Sequence, residues 1–175
     1  MPNKSVQLRN LKLEDLTTVL EWSKDTEFCL ANEWSLELTE ERIRTHWTGI
    51  IAEARDDLIR KGITFEGQLV GYADLADINH FEARANLGYA IGNSSLWGRG
   101  LAFEGVKLML ELAFVDLKLE RVTGEVNSAN TRSLRVLEKL GFKLEGVFRQ
   151  HETYRGVRGD VHWFGMLQEE FESRF

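Results

Sequence analysis

The spacing of apolar residues changes between the two ends of the chain. Residues 6–11 (VQLRNL) alternate between apolar and polar and predict a first strand. In residues 13–25 the apolar side chains recur three and four positions apart, which predicts an amphipathic helix. A second helix is predicted from Thr39, whose hydroxyl suits an N-cap, to Ile51.

A period of two then predicts three consecutive strands. They are DLIRKGITFE (57–66), QLVGYADLADI (68–78) and RANLGYAIG (84–92), with Glu66 and Gly67 as the hairpin turn between the first two. Helices and strands alternate afterwards: a helix over 102–116, a strand over 121–127, a helix over 130–140 that ends at Gly141, and a last strand over 161–168. This order predicts an α/β fold with a mixed sheet and helices on its faces.

The composition narrows the class of protein. The formal net charge of −6 argues against a nucleic-acid surface, which is normally basic. Apolar runs stay short of the ~20 residues of a membrane span, and the first ten residues lack the apolar core of a signal peptide. Cys29 is the only cysteine, which excludes an internal disulfide and a multi-thiolate metal site. We therefore expect a cytoplasmic protein without a metal, a nucleic-acid partner or a membrane partner.

The stretch SSLWGRGLAFEG (94–105) joins a predicted strand to a predicted helix. Helix N-termini carry unpaired N–H groups, and Gly98 and Gly100 would let the backbone approach an anion closely. A glycine-rich turn hydrated by water explains the same letters. The phosphate pattern G-x-x-x-x-G-K-[ST] is not present, and the dinucleotide pattern G-x-G-x-x-G fits only loosely.

A second segment favours the anion site. NSANTRSLRVLEKLGFKLEG (127–146) follows the next predicted strand and resembles the cofactor motif of the GNAT N-acetyltransferase superfamily. WGRGLA (97–102) resembles the pyrophosphate loop of that superfamily, with tryptophan in the place of its usual Gln or Arg. LGYAI (87–91) and YRGVRGD (154–160) are further matches. Together they resemble the branch of ribosomal-protein-alanine acetyltransferases and spermidine acetyltransferases.

The resemblance implies a fold and a cofactor. Residues 1–175 are expected to form a single N-acetyltransferase domain with a mixed, mostly antiparallel sheet of about seven strands. The sheet is expected to be splayed in the middle and flanked by about four helices. The co-substrate is expected to be acetyl-CoA, with no metal. The implied cofactor-binding residues are Ala90 and Ile91 on the splayed strand, the loop residues Gly98, Arg99, Gly100, Leu101 and Ala102, and Asn130.

The resemblance also suggests catalytic residues. Ser133 corresponds to a proposed proton donor for the departing thiolate, although Asn130 and Ser133 equally suit plain helix capping. Many relatives carry a glutamate base at the position of Asn86, and an amide cannot take that role. Glu152 matches the base proposed for the ribosomal-protein branch, and His151 and Tyr154 are adjacent alternatives. Because alternate residues of a strand share a face, Glu152 and Tyr154 are expected on one face.

The acceptor follows from the resemblance only as a class. The first hypothesis is direct acetyl transfer, in a ternary complex, to the N-terminal α-amine of a protein or peptide. The alternatives are transfer to a polyamine or aminoglycoside, and a non-catalytic acyl-CoA-binding module. Trp34 is expected to line the acceptor pocket, while Trp22 and Trp47 are expected to pack in the core. Arg132, Arg135 and Lys139 are candidates for contact with the 3′-phosphate, although a solvated helix face is expected for at least two of them. A homodimer is a further expectation.

Overall fold

A seven-stranded sheet forms the centre of the computed structural model, which describes residues 5–175. The strands are β1 (Val6–Asn10), β2 (Leu58–Phe65), β3 (Gln68–Asn79), β4 (Arg84–Ile91), β5 (Arg121–Asn127), β6 (Lys143–Tyr154) and β7 (Val157–Leu167). Their order in the sheet is β1-β2-β3-β4-β5-β7-β6. Only the central pair β4–β5 is parallel, and the other neighbours are antiparallel.

Helices cover both faces of this sheet. They are α1 (Leu16–Trp22), α2 (Thr26–Ala31), α3 (Glu40–Ala52), α4 (Leu101–Glu111), α5 (Thr131–Leu140) and α6 (Gln168–Arg174). A π-helical turn, Leu112–Asp116, continues α4 to the end of the predicted helix. The four predicted helices correspond to α1, α3, α4 and α5, while α2 and α6 are additional short helices.

Two hydrophobic clusters hold the helices against the sheet. On one face, α4 and α5 bury Val106, Met109 and Leu137 against the strands. On the other face, α1–α3 bury Trp22, Phe28 and the thiol of Cys29. Leucine-sized side chains each contribute about 1.5–3 kcal/mol on burial, so both faces are stabilised mainly by apolar contact.

The sheet parts between its two parallel strands. β4 and β5 pair only from Arg84–Arg121 to Leu87–Gly124, although both strands continue for three or more residues. The predicted α/β architecture, a mostly antiparallel seven-stranded sheet splayed in the middle, is therefore confirmed. We call the opening beyond Leu87 and Gly124 the gap.

Residues 1–4 lie outside the described part of the chain. Two predictions include these residues, the lack of a signal-peptide core in residues 1–10 and the single domain over residues 1–175, and that part of each lies outside the described residues. Within residues 5–175, no helix has the length and apolar character that a bilayer crossing requires.

Candidate active site

A cavity of about 340 Å³ lies at the gap. We call it the gap cavity. Its walls are residues 89–91 at the end of β4, residues 96–98 and 100–103 of the loop and start of α4, one side of α5 from its N-cap to residue 139, and Ala31 and Asn32 at the end of α2. Two helix N-termini and one free strand edge therefore meet at one site.

The loop at residues 97–102 presents backbone donors to the gap cavity. Gly98 and Gly100 have φ of +78° and +80°, a region that L-residues other than glycine enter at a cost. Gly100 is the N-cap of α4, an 11-residue helix whose first N–H groups have no partners within the helix. A Cβ on either glycine would meet nothing within 4 Å, so the backbone conformation, rather than crowding, calls for glycine there.

The free edge of β4 presents further donors. The N–H of Gly92 donates to Val70 on β3 at 2.8 Å. Since successive residues of a strand direct their backbone groups to opposite edges, the N–H groups of Tyr89 and Ile91 face the gap. The carbonyl of Ile91 accepts the indole N–H of Trp97 at 2.9 Å. Trp97 therefore ties the loop to the strand edge, which gives this residue a structural contact in the site.

The start of α5 faces the same cavity. The side-chain oxygen of Asn130 accepts the N–H of Ser133 at 3.2 Å, so Asn130 caps the helix. The hydroxyl of Tyr89 donates to the carbonyl of Ser133 at 3.4 Å. Burial raises the pKa of Tyr89 to about 12, so the phenol stays protonated near neutral pH. The side-chain oxygen of Asn130 is thus used for helix capping, while the side of α5 that carries Ser133 borders the cavity.

Cations line the gap cavity. Arg132, Arg135 and Lys139 all border it, and no described lining residue carries a carboxylate. The guanidinium of Arg132 lies 4.0 Å from the ring centroid of Trp97 and 3.7 Å from the carboxylate of Glu27 on α2. Arginines and helix N-termini together favour a polyanion such as a pyrophosphate.

A second cavity, also of about 340 Å³, lies on the sheet face covered by α1–α3. We call it the aromatic cavity. It is lined by Glu33, Trp34, Leu38, Arg42, Ile43, His46, Trp47, Arg60 and Tyr72. Residues 31–32 border the gap cavity and Glu33 and Trp34 border the aromatic cavity, so consecutive residues after α2 separate the two spaces.

Three carboxylates lie near one another on the face of the aromatic cavity. Burial and the charge of Glu152 raise the pKa of Glu33 above its ordinary value. The same two causes raise the pKa of Glu125, and nearby Asp77 adds to the effect. Glu125 is the first β5 residue beyond the last β4–β5 pair, so it stands at the edge of the gap. A carboxyl with a raised pKa is a better base near neutral pH than an ordinary one.

The neighbourhood of Asn86 is a closed hydrogen-bond chain. The amide of Asn86 donates to Asp77 at 2.9 Å and accepts the hydroxyl of Thr123 at 2.5 Å. Both groups of the amide are therefore occupied. Asn86 bridges β3 and β5 and offers no base.

Metal-binding groups do not assemble in the part of the chain that the structure covers. Among residues 5–175, no cluster of three or more His, Cys, Asp or Glu side chains is placed to hold a metal ion.

The family model of the acetyltransferase (GNAT) domain matches residues 5–143. This chain belongs to the GNAT acetyltransferase family. The membership confirms the predicted enzyme class, an N-acetyltransferase, and acetyl-CoA as its co-substrate.

The similarity to known relatives covers most of this acetyltransferase chain. The N-acetyltransferase p20 of Bacillus licheniformis, itself uncharacterised, is 28% identical over 94% of this chain and 93% of its own length. Spermidine N-acetyltransferase from Vibrio cholerae, solved with CoA and spermine, has a TM-score of 0.85 at 20% identity and covers 97% of this chain and 99% of its own. RimL, a ribosomal L7/L12 alpha-N-protein acetyltransferase solved with coenzyme A, has a TM-score of 0.83 at 20% identity and covers 95% and 96%. Both branches named from the sequence motifs are thus represented, and the two structures show the shared fold.

The acetyltransferase brings most of the expected cofactor residues to one place. Ala90, Ile91, Gly98, Gly100, Leu101, Ala102, Asn130 and Ser133 all line the gap cavity. Arg99 does not line it; its guanidinium lies over the ring of Phe65 at 5.4 Å, beside a neighbouring groove. Glu152 lies away from the gap cavity, half-buried on β6 near Glu33.

Sequence reasoning did not single out three residues that border the two cavities or the edge of the gap: Tyr89, Glu125 and Arg60. Tyr89 stood inside the LGYAI match but was not singled out. Glu125 alternates with Val122 and Val126 on β5, and that alternation could have placed it on the opposite face. Arg60 carried no local signal, because its partners come from other elements.

Proposed function

We propose that this acetyltransferase transfers the acetyl group of acetyl-CoA to the N-terminal α-amine of a protein or peptide. The amine attacks the thioester directly in a ternary complex. The observation that carries the proposal is the gap, where a free strand edge, two helix N-termini and three cations meet on one side and a carboxylate cluster lies on the other. The similarity to RimL, a ribosomal L7/L12 alpha-N-protein acetyltransferase, supports the choice of acceptor.

In this proposal the backbone binds the donor. N–H groups of residues 98–102 bind the pyrophosphate, and Arg132, Arg135 and Lys139 add positive charge. The pantetheine arm enters the gap and pairs with the N–H groups of Tyr89 and Ile91. Ala90 contributes its side chain, because its backbone groups face β3. Arg99 contributes through its main chain, since its side chain stacks on Phe65.

The chemistry needs a base and a proton donor. Glu152 is proposed to remove the proton of the acceptor ammonium, and Glu125 competes for the same role from the edge of the gap. A backbone N–H in the gap polarises the thioester carbonyl as negative charge develops on its oxygen. Ser133 is proposed to donate a hydrogen bond to the departing thiolate.

Acetylation of a polyamine is the second candidate. The similarity to the Vibrio cholerae spermidine enzyme and the three clustered carboxylates favour it, since carboxylates bind polycations. We further propose that residues 1–175 form a single acetyltransferase domain in the cytoplasm, and that the domain acts as a homodimer.

Release of coenzyme A thiol with a panel of amines tests the proposal. We expect peptides with a free N-terminus to stimulate release, and the same peptides with a blocked N-terminus and an internal lysine to leave it at the background rate. Stimulation by spermidine alone would establish the second candidate. Binding of acetyl-CoA without stimulation by any amine would contradict both.

A further inference from the structure

The side chain of Arg60 occupies the floor of the aromatic cavity. Its guanidinium lies against a pair of edge-to-face rings, 4.8 Å from the centroid of Trp47 and 4.6 Å from that of Tyr72. Nε and Nη2 donate to the two oxygens of Asp74 at 2.6 and 2.5 Å. The rings and the carboxylate together fix the plane of a guanidinium that is only 13% exposed.

This guanidinium retains unused donors. A guanidinium has five N–H groups, and Asp74 takes two of them. Within residues 5–175, Nη1 has no hydrogen-bond partner although Arg60 borders the cavity. Burial opposes the charge, but the hydrogen bonds and charge of Asp74 outweigh it and raise the pKa of Arg60. A rigid cationic donor thus faces an open space.

The other charged groups of the cavity show what would fit there. Arg42 is a second cation in the lining, and burial and the charge of Arg60 lower the pKa of His46. Glu33 is the only carboxylate among the described lining residues, and it stands near Glu152. A polycation would meet two guanidiniums. A molecule with an ammonium group at one end and a carbonyl oxygen beyond it would meet complementary charges at both.

The cavity also lies beside the gap. In the β3–β4 register Tyr72 is opposite Ala90 and Asp74 is opposite Gly88. Neighbouring strands are ≈ 4.7–4.9 Å apart, so a group held by Arg60 lies within about two strand spacings of the gap.

We propose that Arg60 determines acceptor specificity by donating hydrogen bonds to a carbonyl oxygen of the acceptor, next to its amine. The inference rests on the proposed function and narrows it: peptide-like acceptors bind, and amines without a carbonyl bind poorly. The aromatic rings orient the donor, and Glu33 receives the ammonium end.

A pair of acceptors and a pair of variants test this role. The acceptors are an alanine peptide amide and an alkylamine with the same branching that lacks the carbonyl. Arg60→Lys keeps the positive charge but loses the planar fork. Arg44→Lys is the matched control, because Arg44 pairs with Glu40 on the surface of α3 at 2.8 Å.

We expect the wild type to prefer the peptide amide at least tenfold in kcat/KM. Arg60→Lys is expected to raise KM for the peptide amide tenfold to a hundredfold, as loss of a charge-assisted hydrogen bond does, and to change kcat/KM for the alkylamine less than twofold. Arg44→Lys should behave as wild type. Affinity for acetyl-CoA, measured by calorimetry, should be equal in all three proteins.

Other results would overturn the inference. Equal losses for both acceptors in Arg60→Lys would make Arg60 a structural residue only. If Arg60→Lys does not fold, the wild-type ratio still decides, because equal use of the two acceptors or preference for the alkylamine contradicts the proposal. In those cases the proposed function, acetyl transfer to an amine, is not contradicted. If no amine is acetylated, the proposed function fails and the specificity assignment fails with it.

Discussion

At the scale of single residues, Gly100 combines a backbone conformation with a position in the site. It holds φ at +80° and caps the helix whose N–H groups border the gap cavity. Gly100→Glu would place a carboxylate where an anion is proposed to bind. We expect at least a hundredfold weaker binding of acetyl-CoA in calorimetry, because the added carboxylate would repel the pyrophosphate at the backbone donors where it is proposed to bind.

Gly67→Glu provides the control for that substitution. Gly67 has the same φ of +80° in the β2–β3 turn, and a Cβ there would also meet nothing within 4 Å. Both variants should lose about 1–2 kcal/mol of stability from the backbone conformation. If Gly67→Glu weakened acetyl-CoA binding as strongly, the loss could not be assigned to the loop.

Glu152 is the second residue whose replacement is informative. If it is the base, Glu152→Gln should lower kcat at least a hundredfold while the affinity for acetyl-CoA stays constant. Because its charge raises the pKa of Glu33 and Glu125, both pKa values should fall in the variant, which carboxyl NMR titration would measure.

The pH profile separates Glu152 from Glu125. A base acts in its ionised form, so the rate declines as pH falls through its pKa. If the raised pKa of Glu125 governs the reaction, the acid limb moves to lower pH in Glu152→Gln, and Glu125→Gln removes the activity. An unchanged kcat in Glu152→Gln would exclude Glu152 as the base.

At the scale of elements, α2 contacts the loop of residues 92–100 between β4 and α4, which we call the cofactor loop, and leads into Glu33 and Trp34 of the aromatic cavity. Its N-cap Asp25 accepts the N–H of Phe28 at 3.1 Å and, from the cofactor loop, the N–H of Ser94 at 2.8 Å. Although partial burial opposes the charge, these N–H groups hold the pKa of Asp25 below its ordinary value. The stabilisation is therefore complete above the ordinary carboxyl pKa and is lost as pH falls through the lowered one.

Asp25→Ala should uncouple this helix from the loop. Loss of an N-cap costs about 1 kcal/mol, which denaturant unfolding would measure. Thr39→Ala is the matched control, because Thr39 caps α3 through the N–H of Arg42 and makes no contact with the loop. Both should lose similar stability, but only Asp25→Ala should weaken acetyl-CoA binding, by about threefold to tenfold. Equal affinities in the two variants would show that α2 does not support the loop.

Element prediction succeeded where the hydrophobic period was long and failed where it was short. β2, β3 and β4 lie within one residue of their predicted bounds, and α5 is capped by Asn130 and Gly141 as expected. α2 has six residues, too few to show a helical period. In β6 the register shifts between Phe148 and Glu152, and Asp160 accepts the N–H of Gln150 inside that irregularity at 2.8 Å. The local sequence pattern could not predict this bulge, because the residue that stabilises it lies on the next strand.

At the scale of the whole molecule, a cationic cavity lies at the gap and an aromatic cavity lies on the sheet face covered by α1–α3, with the chain after α2 between them. Motif resemblance could predict the gap cavity, because its walls are short contiguous segments of the chain. The aromatic cavity could not be predicted in the same way. Arg60, Trp47 and Tyr72 come from β2, α3 and β3, and only their packing brings the guanidinium against the two rings.

Because the gap cavity is built from several elements, its ligand should stabilise the entire fold. At a hundred times its Kd, coenzyme A should add about 2.7 kcal/mol to the free energy of unfolding. For a domain of this size the midpoint of thermal unfolding should rise by about 5–10 °C in calorimetry. In Gly100→Glu the rise at the same concentration should be at most about 2 °C, because the ligand would then be at or below its Kd. A full rise in that variant would place the ligand elsewhere.

The buried position of Cys29 makes its thiol unreactive in the folded molecule. Its side chain is 1% exposed, its S–H donates to the carbonyl of Ser23 at 3.3 Å, and burial together with Asp25 raises the pKa of the thiol. Thiolate is the reactive form, so an aromatic disulfide, which a thiolate attacks with release of an aromatic thiolate, should not react with the folded chain. During turnover every thiol that reacts with the reagent therefore comes from coenzyme A. On unfolding, Cys29 adds one reactive thiol per chain, so the extra thiol measures the fraction of unfolded molecules.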